Sequence, residues 1–327
     1  MSLTSELRRK DSPVRRFLHE TFPHTRGPLA ACRAALRAPL VADLPVDAHR
    51  GAYSQVGMAM DYRIRYHFAS TPAREFVAFP GALLVIRPGE VQLPPPAIAR
   101  AALIREDSTL TRACVAGFFG ALDRVVDVIA PHRRRLDEAE ERTLGRFCLV
   151  LAAFESAFRN FRAWPPPYLG GARPASAPEL LALVPDDWVE DAAALGSAFT
   201  DGYSAWHGTP ATLNPKFAGS IDIGGADADL ITDGCLWEIK TTKQRGAQGE
   251  WLRQLLGYVL LDYEDEHAID RVGLLLPRHG TRFDWPVSEL IAELSGRDDL
   301  DLPTLRERFR RVCEPLRPGG DAGRNAT

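Results

Sequence analysis

Four side chains able to do chemistry fall within one short stretch, "ADADLITDGCLWEIKTTKQ" (226–244): Asp227, Asp229, Glu238 and Lys240. Carboxylates alternate with apolar residues before Asp233-Gly234, and the pattern resumes after it. Asp-Gly between two alternating runs predicts a two-residue hairpin, because a type I′ turn needs positive φ at both positions. The register follows: Thr232 faces Cys235, Ile231 faces Leu236, Leu230 faces Trp237, Asp229 faces Glu238, and Asp227 falls opposite Lys240. Side chains alternate faces along a strand. Asp227, Asp229, Glu238 and Lys240 are therefore expected on one side, with Ala228, Leu230, Trp237 and Ile239 packing the other side onto the core.

Opposed strand residues sit roughly 5 Å apart at Cβ. Two carboxylates that close repel each other unless a cation lies between them. Hard oxygen ligands at this separation suit Mg²⁺ or Mn²⁺, which take one or two carboxylates together with waters and substrate phosphate. The ordinary alternative is a solvated strand face with a cross-strand ion pair such as Asp227–Lys240. The direct opposition of Asp229 and Glu238 weighs against it. Lysine is also scarce: Lys10, Lys216, Lys240 and Lys243 stand against 36 arginines. A chain that uses arginine nearly everywhere keeps at this motif the one cation that can shift its pKa usefully.

Asp229, an eight-residue spacer, then Glu238-Ile239-Lys240 resembles the signature of the PD-(D/E)XK nuclease superfamily. Downstream, Gln254 and Tyr258 in "RQLLGYVLLDY" stand at i, i+4 on one helix face, similar to the Gln-xxx-Tyr element of the RecB-type exonuclease branch. The resemblance covers roughly residues 150–285 and is most specific over 219–258. It implies a restriction-endonuclease-like fold, a mixed central sheet flanked by helices, and Mg²⁺- or Mn²⁺-dependent hydrolysis of DNA phosphodiesters. By the same resemblance Asp229, Glu238 and the carbonyl of Ile239 would hold the metal. Lys240 would orient the attacking water and stabilise developing charge, and Gln254 and Tyr258 would position substrate or lysine.

The family also draws an acid from an upstream helix. Glu155 in "RFCLVLAAFESAFRNF" is the first candidate, since it shares a face with Cys148, Leu151 and Phe158, and a buried charge needs a partner or a metal. Asp61 in "GMAMDYRIRYHF" is the second. There, Gly57, Asp61 and Arg65 stand where the RecB-type branch has Gly, His and Glu, so exonuclease polarity does not transfer. Ala228 replaces the proline of the signature, and Asp227 is the alternative ligand if the hairpin slips. Two other readings stay open: a nuclease-fold binding or assembly module without turnover, and a metal-dependent hydrolase of RNA.

The elements that must hold these residues read as follows. Residues 1–165 are expected to be mainly helical, with helices over 109–130 (stopped by Pro131) and about 136–163, the latter expected to belong to the nuclease core. "WPPPYLGGARPASAP" (164–178) reads as a connector. The core is expected over 166–300, with β-like runs at 220–223, 227–232, 235–241, 271–276 and 281–285 and helices near 250–263 and 287–295. A basic helix and a disordered tail are expected over 301–327. "RHG" (278–280) reads as a turn, "HRRRL" (132–136) as a solvated helix start, and Trp251 and Trp285 as core residues or base-stacking platforms.

Composition bounds the rest. The net charge is −3, which does not describe a generally basic nucleic-acid binder. Yet residues 1–40 carry eight Arg/Lys against three acids, and Asp186–Glu238 is acidic, so basic arms could follow phosphates while an acidic centre holds a cation. Five scattered cysteines without a CxxC pair point to a reducing compartment, the cytoplasm. The opening "MSLTSELRRKDSP" shows no secretory signal, and no apolar run reaches the roughly eighteen residues of a membrane span. DNA is the partner the nuclease resemblance implies, and since helicase motifs are missing any motor would be a separate chain.

Overall fold

The computed structural model describes residues 2–44, 50–69, 73–102, 110–129, 135–160, 162, 164–206 and 209–317. The tail expected beyond residue 317, Pro131 and the basic residues at 132–134 lie outside them. The chain divides into two compact units, one joining Met1–Pro39 to Thr209–Thr327 and the other formed by Leu40–Gly208. The expected division at 165/166 thus falls inside the second unit, and the N-terminal segment belongs with the sheet. Its helices are α1 (Leu3–Arg8), α2 (Pro13–Thr21) and α3 (Ala30–Ala35). Ser2 and Ser5 cap α1 reciprocally, while Ser12 accepts the Arg15 N–H and Pro13 opens α2, both standard helix-start chemistry.

Leu40–Gly208 is helical: α4 (Arg50–Phe68), α5 (Ala78–Leu84), α6 (Pro95–Ala102), α7 (Arg112–Ile129), α8 (Glu138–Arg159), α9 (Ala177–Ala182) and α10 (Asp186–Gly202). Asp137 and Glu140 form a capping box that starts α8, which packs against α4, α5 and α10. Buried Arg63 grips Glu141 through two hydrogen bonds of 2.8 and 2.6 Å and reaches Thr200 at 3.0 Å, tying α4, α8 and α10 together. The expected helices appear as α7 and α8; α9 and α10 were not expected. The Pro/Gly-rich stretch after α8 is packed rather than a linker, since Trp164 stacks on Phe154 at 6.1 Å and Leu169 is fully buried.

The other unit carries a five-stranded sheet, β1 (Ala211–Leu213), β2 (Leu230–Thr232), β3 (Cys235–Ile239), β4 (Arg271–Leu276) and β5 (Thr281–Pro286), in that spatial order. β3 and β4 are parallel, joined through α11 (Gly249–Leu261), and the other pairs are antiparallel. Helices α12 (Val287–Ser295) and α13 (Leu302–Cys313) follow. The chain is therefore mixed α/β, with a mainly helical N-terminal half and a mixed sheet flanked by helices. The run at 220–223 folds into a 3-10 turn instead of a strand (Ala218–Ile221), and β1 was not expected.

Leu236, Val272, Leu274 and Leu276 of the sheet meet Leu252, Leu255 and Val259 of α11 in one core, joined by Leu3, Leu18, Leu305 and Phe309. The basic helix α13 is thus part of this core. Its buried Arg306 donates to the Val259 carbonyl at 3.2 Å and to Asp265 at 2.7 Å. Among the described residues no helix is long and apolar enough to cross a membrane.

Candidate active site

The hairpin forms as the sequence predicts. Asp233 and Gly234 have φ of 49° and 71°, and Thr232–Cys235, Ile231–Leu236 and Leu230–Trp237 are paired. Beyond Leu230–Trp237 the register departs from expectation. Asp227 makes an isolated bridge with Lys216 rather than lying in a ladder opposite Lys240. Asp229 turns its carboxylate onto β3, where Oδ2 accepts the Ile239 N–H at 2.7 Å. β3 continues instead along β4, with the Lys240 N–H donating to the Leu275 carbonyl at 2.8 Å.

Ala228, Leu230, Trp237 and Ile239 are buried as expected, but the face expected to carry the charged groups is covered as well. Glu238 shares its face with Leu236, and their β4 neighbours Val272 and Leu274 belong to the core under α11. β3 is interior and buried on both faces, as its near-continuous apolar run "CLWEI" allows. Glu238 is thus only 5 % exposed, at the end of a core stripe rather than on a solvated face. On the reverse face the Trp237 ring lies across Gly273, where a Cβ would collide with it.

Around this carboxylate α11 supplies the hydrogen bonds. Lys240 Nζ donates to Glu238 Oε1 at 2.5 Å and to Gln254 Oε1 at 3.1 Å. The Gln254 amide donates to the same Glu238 oxygen at 2.9 Å, to the Tyr258 hydroxyl at 3.0 Å and to Thr4 Oγ1 at 3.3 Å. Glu238 Oε2 is buried and has no hydrogen-bond partner. Burial pushes the Glu238 carboxyl well above its ordinary value; Asp229 adds to this, while Lys240 and Gln254 oppose it. Tyr258 is held protonated by burial and by the nearby charges of Glu238, Asp229 and Asp227, the Gln254 hydrogen bond pulling the other way.

Asp229, Glu238, Ile239, Lys240, Gln254 and Tyr258 are therefore brought together in one unit. Glu155 and Asp61 belong to Leu40–Gly208, on α8 and α4. Both Glu155 oxygens are engaged there: Tyr62 donates to one at 2.5 Å and Arg159 to the other at 2.5 Å. Burial raises the Glu155 carboxyl, but Arg159, Arg65 and the Tyr62 hydroxyl outweigh it and hold the group below its usual value. Residues 277–279 form a 3-10 turn closed by Gly280 at φ 58°, the turn expected from "RHG". Trp251 is a core residue and Trp285 packs against that core.

The donor set fits a hard divalent cation. An orphaned buried carboxylate oxygen on Glu238, a second carboxylate on Asp229 and the Ile239 carbonyl are what Mg²⁺ accepts beside water and phosphate. Among the described residues no group of three or more His, Cys, Asp or Glu is arranged to hold a metal ion.

Sequence reasoning missed Thr4, Arg8, Arg15 and Gln248, which line a cavity of about 330 Å³ with Lys240 and Gln254. The excess of arginine over residues 1–40 was the available signal. Compared with known proteins, the chain matches no family model, no curated protein and no solved structure.

Proposed function

We propose that this protein is a nuclease of the PD-(D/E)XK type that hydrolyses DNA phosphodiester bonds with Mg²⁺ or Mn²⁺, on a restriction-endonuclease-like core, in the cytoplasm. The observation that carries the reading is Glu238, whose buried Oε2 lacks a partner while Asp229 and Lys240 converge beside it. A buried anion with an empty lone pair is costly, and it makes sense as a cation ligand. Asp229, Glu238 and the Ile239 carbonyl would hold the metal. When bound, such an ion supplies Lewis-acid polarisation of the phosphoryl oxygens and a more acidic water.

The protein's own residues do the rest. The Lys240 ammonium offers N–H donors and positive charge to the phosphate oxygens as charge develops on them. Gln254 accepts from Lys240 and donates to Glu238, so it is a positioning residue that fixes both members of the pair. Tyr258, held protonated, keeps the Gln254 amide oriented. All five cysteines are buried free thiols, which suits a reducing compartment. Incubating linear and circular DNA with Mg²⁺, Mn²⁺ or EDTA tests the reading: metal-dependent cutting is expected, and folded protein that cuts nothing with either metal contradicts it.

A further inference from the structure

The N-terminal hairpin of α1 and α2 is built against the candidate active site. Leu3 and Leu18 lie over Gly257 of α11, where an added Cβ would sit 2.9 Å from Leu3 Cδ2 and 3.5 Å from Leu18 Cδ1. A larger residue at 257 would press on the Leu3 side chain, on the face of α11 that carries Gln254. Thr4 accepts from the Gln254 amide at 3.3 Å, so α1 also touches the network that holds Lys240.

The hairpin's own geometry is fixed from inside. Glu6, 1 % exposed, accepts from Ser12 Oγ at 2.6 Å and from Arg9 at 3.2 Å. Arg15 donates through Nη1 to the Leu7 carbonyl at 2.5 Å, which joins α2 to the end of α1. These bonds leave Arg8 and Arg15 on the wall of the cavity that also holds Lys240, Gln248 and Gln254. Three cations thus line it. The carboxylate there, Glu250, is engaged by His19 at 3.1 Å and Arg253 at 3.3 Å. The cavity's surplus is positive, in a chain whose net charge is −3.

We infer that the α1–α2 hairpin forms the phosphate-gripping wall of the site, with Arg8 and Arg15 binding phosphates of the DNA strand next to the one being cut and Thr4 steadying Gln254. This rests on the nuclease reading. Arginine's planar fork suits phosphate oxygens. Each phosphate contact contributes about one unit to the slope of log K against log salt.

The experiment compares the full-length protein with Arg8→Gln, with Arg8→Gln/Arg15→Gln, and with Arg311→Gln on α13 as a control. Binding of a fluorescent linear DNA is measured in EDTA at several salt concentrations, and cleavage kinetics in Mg²⁺. The double variant should lower the salt slope by about two and raise KM by about tenfold with kcat within about twofold. Arg8→Gln alone, which disturbs no bond inside the hairpin, should lower the slope by about one. An unchanged slope and KM in both variants, or a loss of kcat with KM unchanged, would overturn the inference while leaving the nuclease reading standing. A wild type that never cleaves but whose DNA binding loses the same slope in the variants would sink the nuclease reading and keep the hairpin's role. A wild type that binds no DNA contradicts the hairpin's role directly.

Discussion

Asp229 Oδ2 accepts the main-chain N–H of Ile239 at 2.7 Å, which fixes an acid at the point where β3 leaves its hairpin partner. The bond needs an acceptor, not a charge. Asp229→Asn should therefore keep the fold, within about 1 kcal/mol, while losing Mn²⁺ binding and cleavage. Calorimetric Mn²⁺ titration beside a thermal scan checks this, and wild-type Mn²⁺ affinity in the Asn variant would remove Asp229 from the site.

Glu238 makes stability depend on pH in an unusual direction. Its folded carboxyl is raised from 4.5 to about 7, chiefly by burial. The folded state holds the proton more tightly than the unfolded chain, so in EDTA this group's contribution to stability falls as pH rises from about 4.5 through about 7. Glu238→Gln should be near neutral at the low end and raise Tm by a few degrees, about 2–4 °C per kcal/mol recovered, at pH 8. Adding Mn²⁺ at pH 8 should stabilise the wild type and leave the variant unmoved. Equal Tm for both proteins across the pH range would contradict the buried carboxylate.

Gln254 and Tyr258 stand in series behind Lys240. Gln254→Ala removes donors to Glu238 and an acceptor for Lys240, and should lower kcat by about ten- to a hundredfold with a smaller change in KM. Tyr258→Phe removes one hydrogen bond to Gln254 and should cost about 1 kcal/mol of stability and less than tenfold in kcat. A Tyr258→Phe defect larger than that of Gln254→Ala would mean that the tyrosine acts on substrate itself.

Glu155 is engaged by Tyr62 and Arg159, and its carboxyl is held below the ordinary value against the opposing effect of burial. A depressed pKa contributes stability that is present above the unfolded value near 4.5 and lost as pH falls below it. Glu155→Gln should therefore destabilise by about 1–3 kcal/mol at pH 7, with the penalty shrinking in acid. Thermal scans at pH 7 and pH 3.5 check this. A variant of unchanged stability that no longer cuts would make Glu155 a ligand first and a structural residue second.

The hairpin was legible because its signals are local: Asp233-Gly234 dictates positive φ at both positions, and two-residue alternation sets the register. Gln254 and Tyr258 were legible because i, i+4 spacing on α11 makes them neighbours. What failed is what depends on distant chain. Nothing near Asp229 in sequence says that β2 stops at Leu230 and that the carboxylate turns onto the Ile239 amide. The three-residue β1 is too short to show a period. The docking of Leu3 and Thr4 onto α11 joins residues some 250 positions apart, recorded in sequence only as a glycine at 257 and an apolar face on α1. The stretch after α8 misled for a different reason: its prolines and glycines shape a packed loop around Trp164 and Leu169 rather than a boundary.

Lys240 gives the most direct test of the central claim. Cleavage of linear DNA at saturating Mn²⁺ should fall by about a hundredfold or more in Lys240→Ala, while calorimetry should show Mn²⁺ still bound, because the proposed metal ligands are Asp229, Glu238 and Ile239 rather than the lysine. A Lys240→Ala protein that cuts DNA at the wild-type rate would contradict the proposed site and the nuclease chemistry built on it.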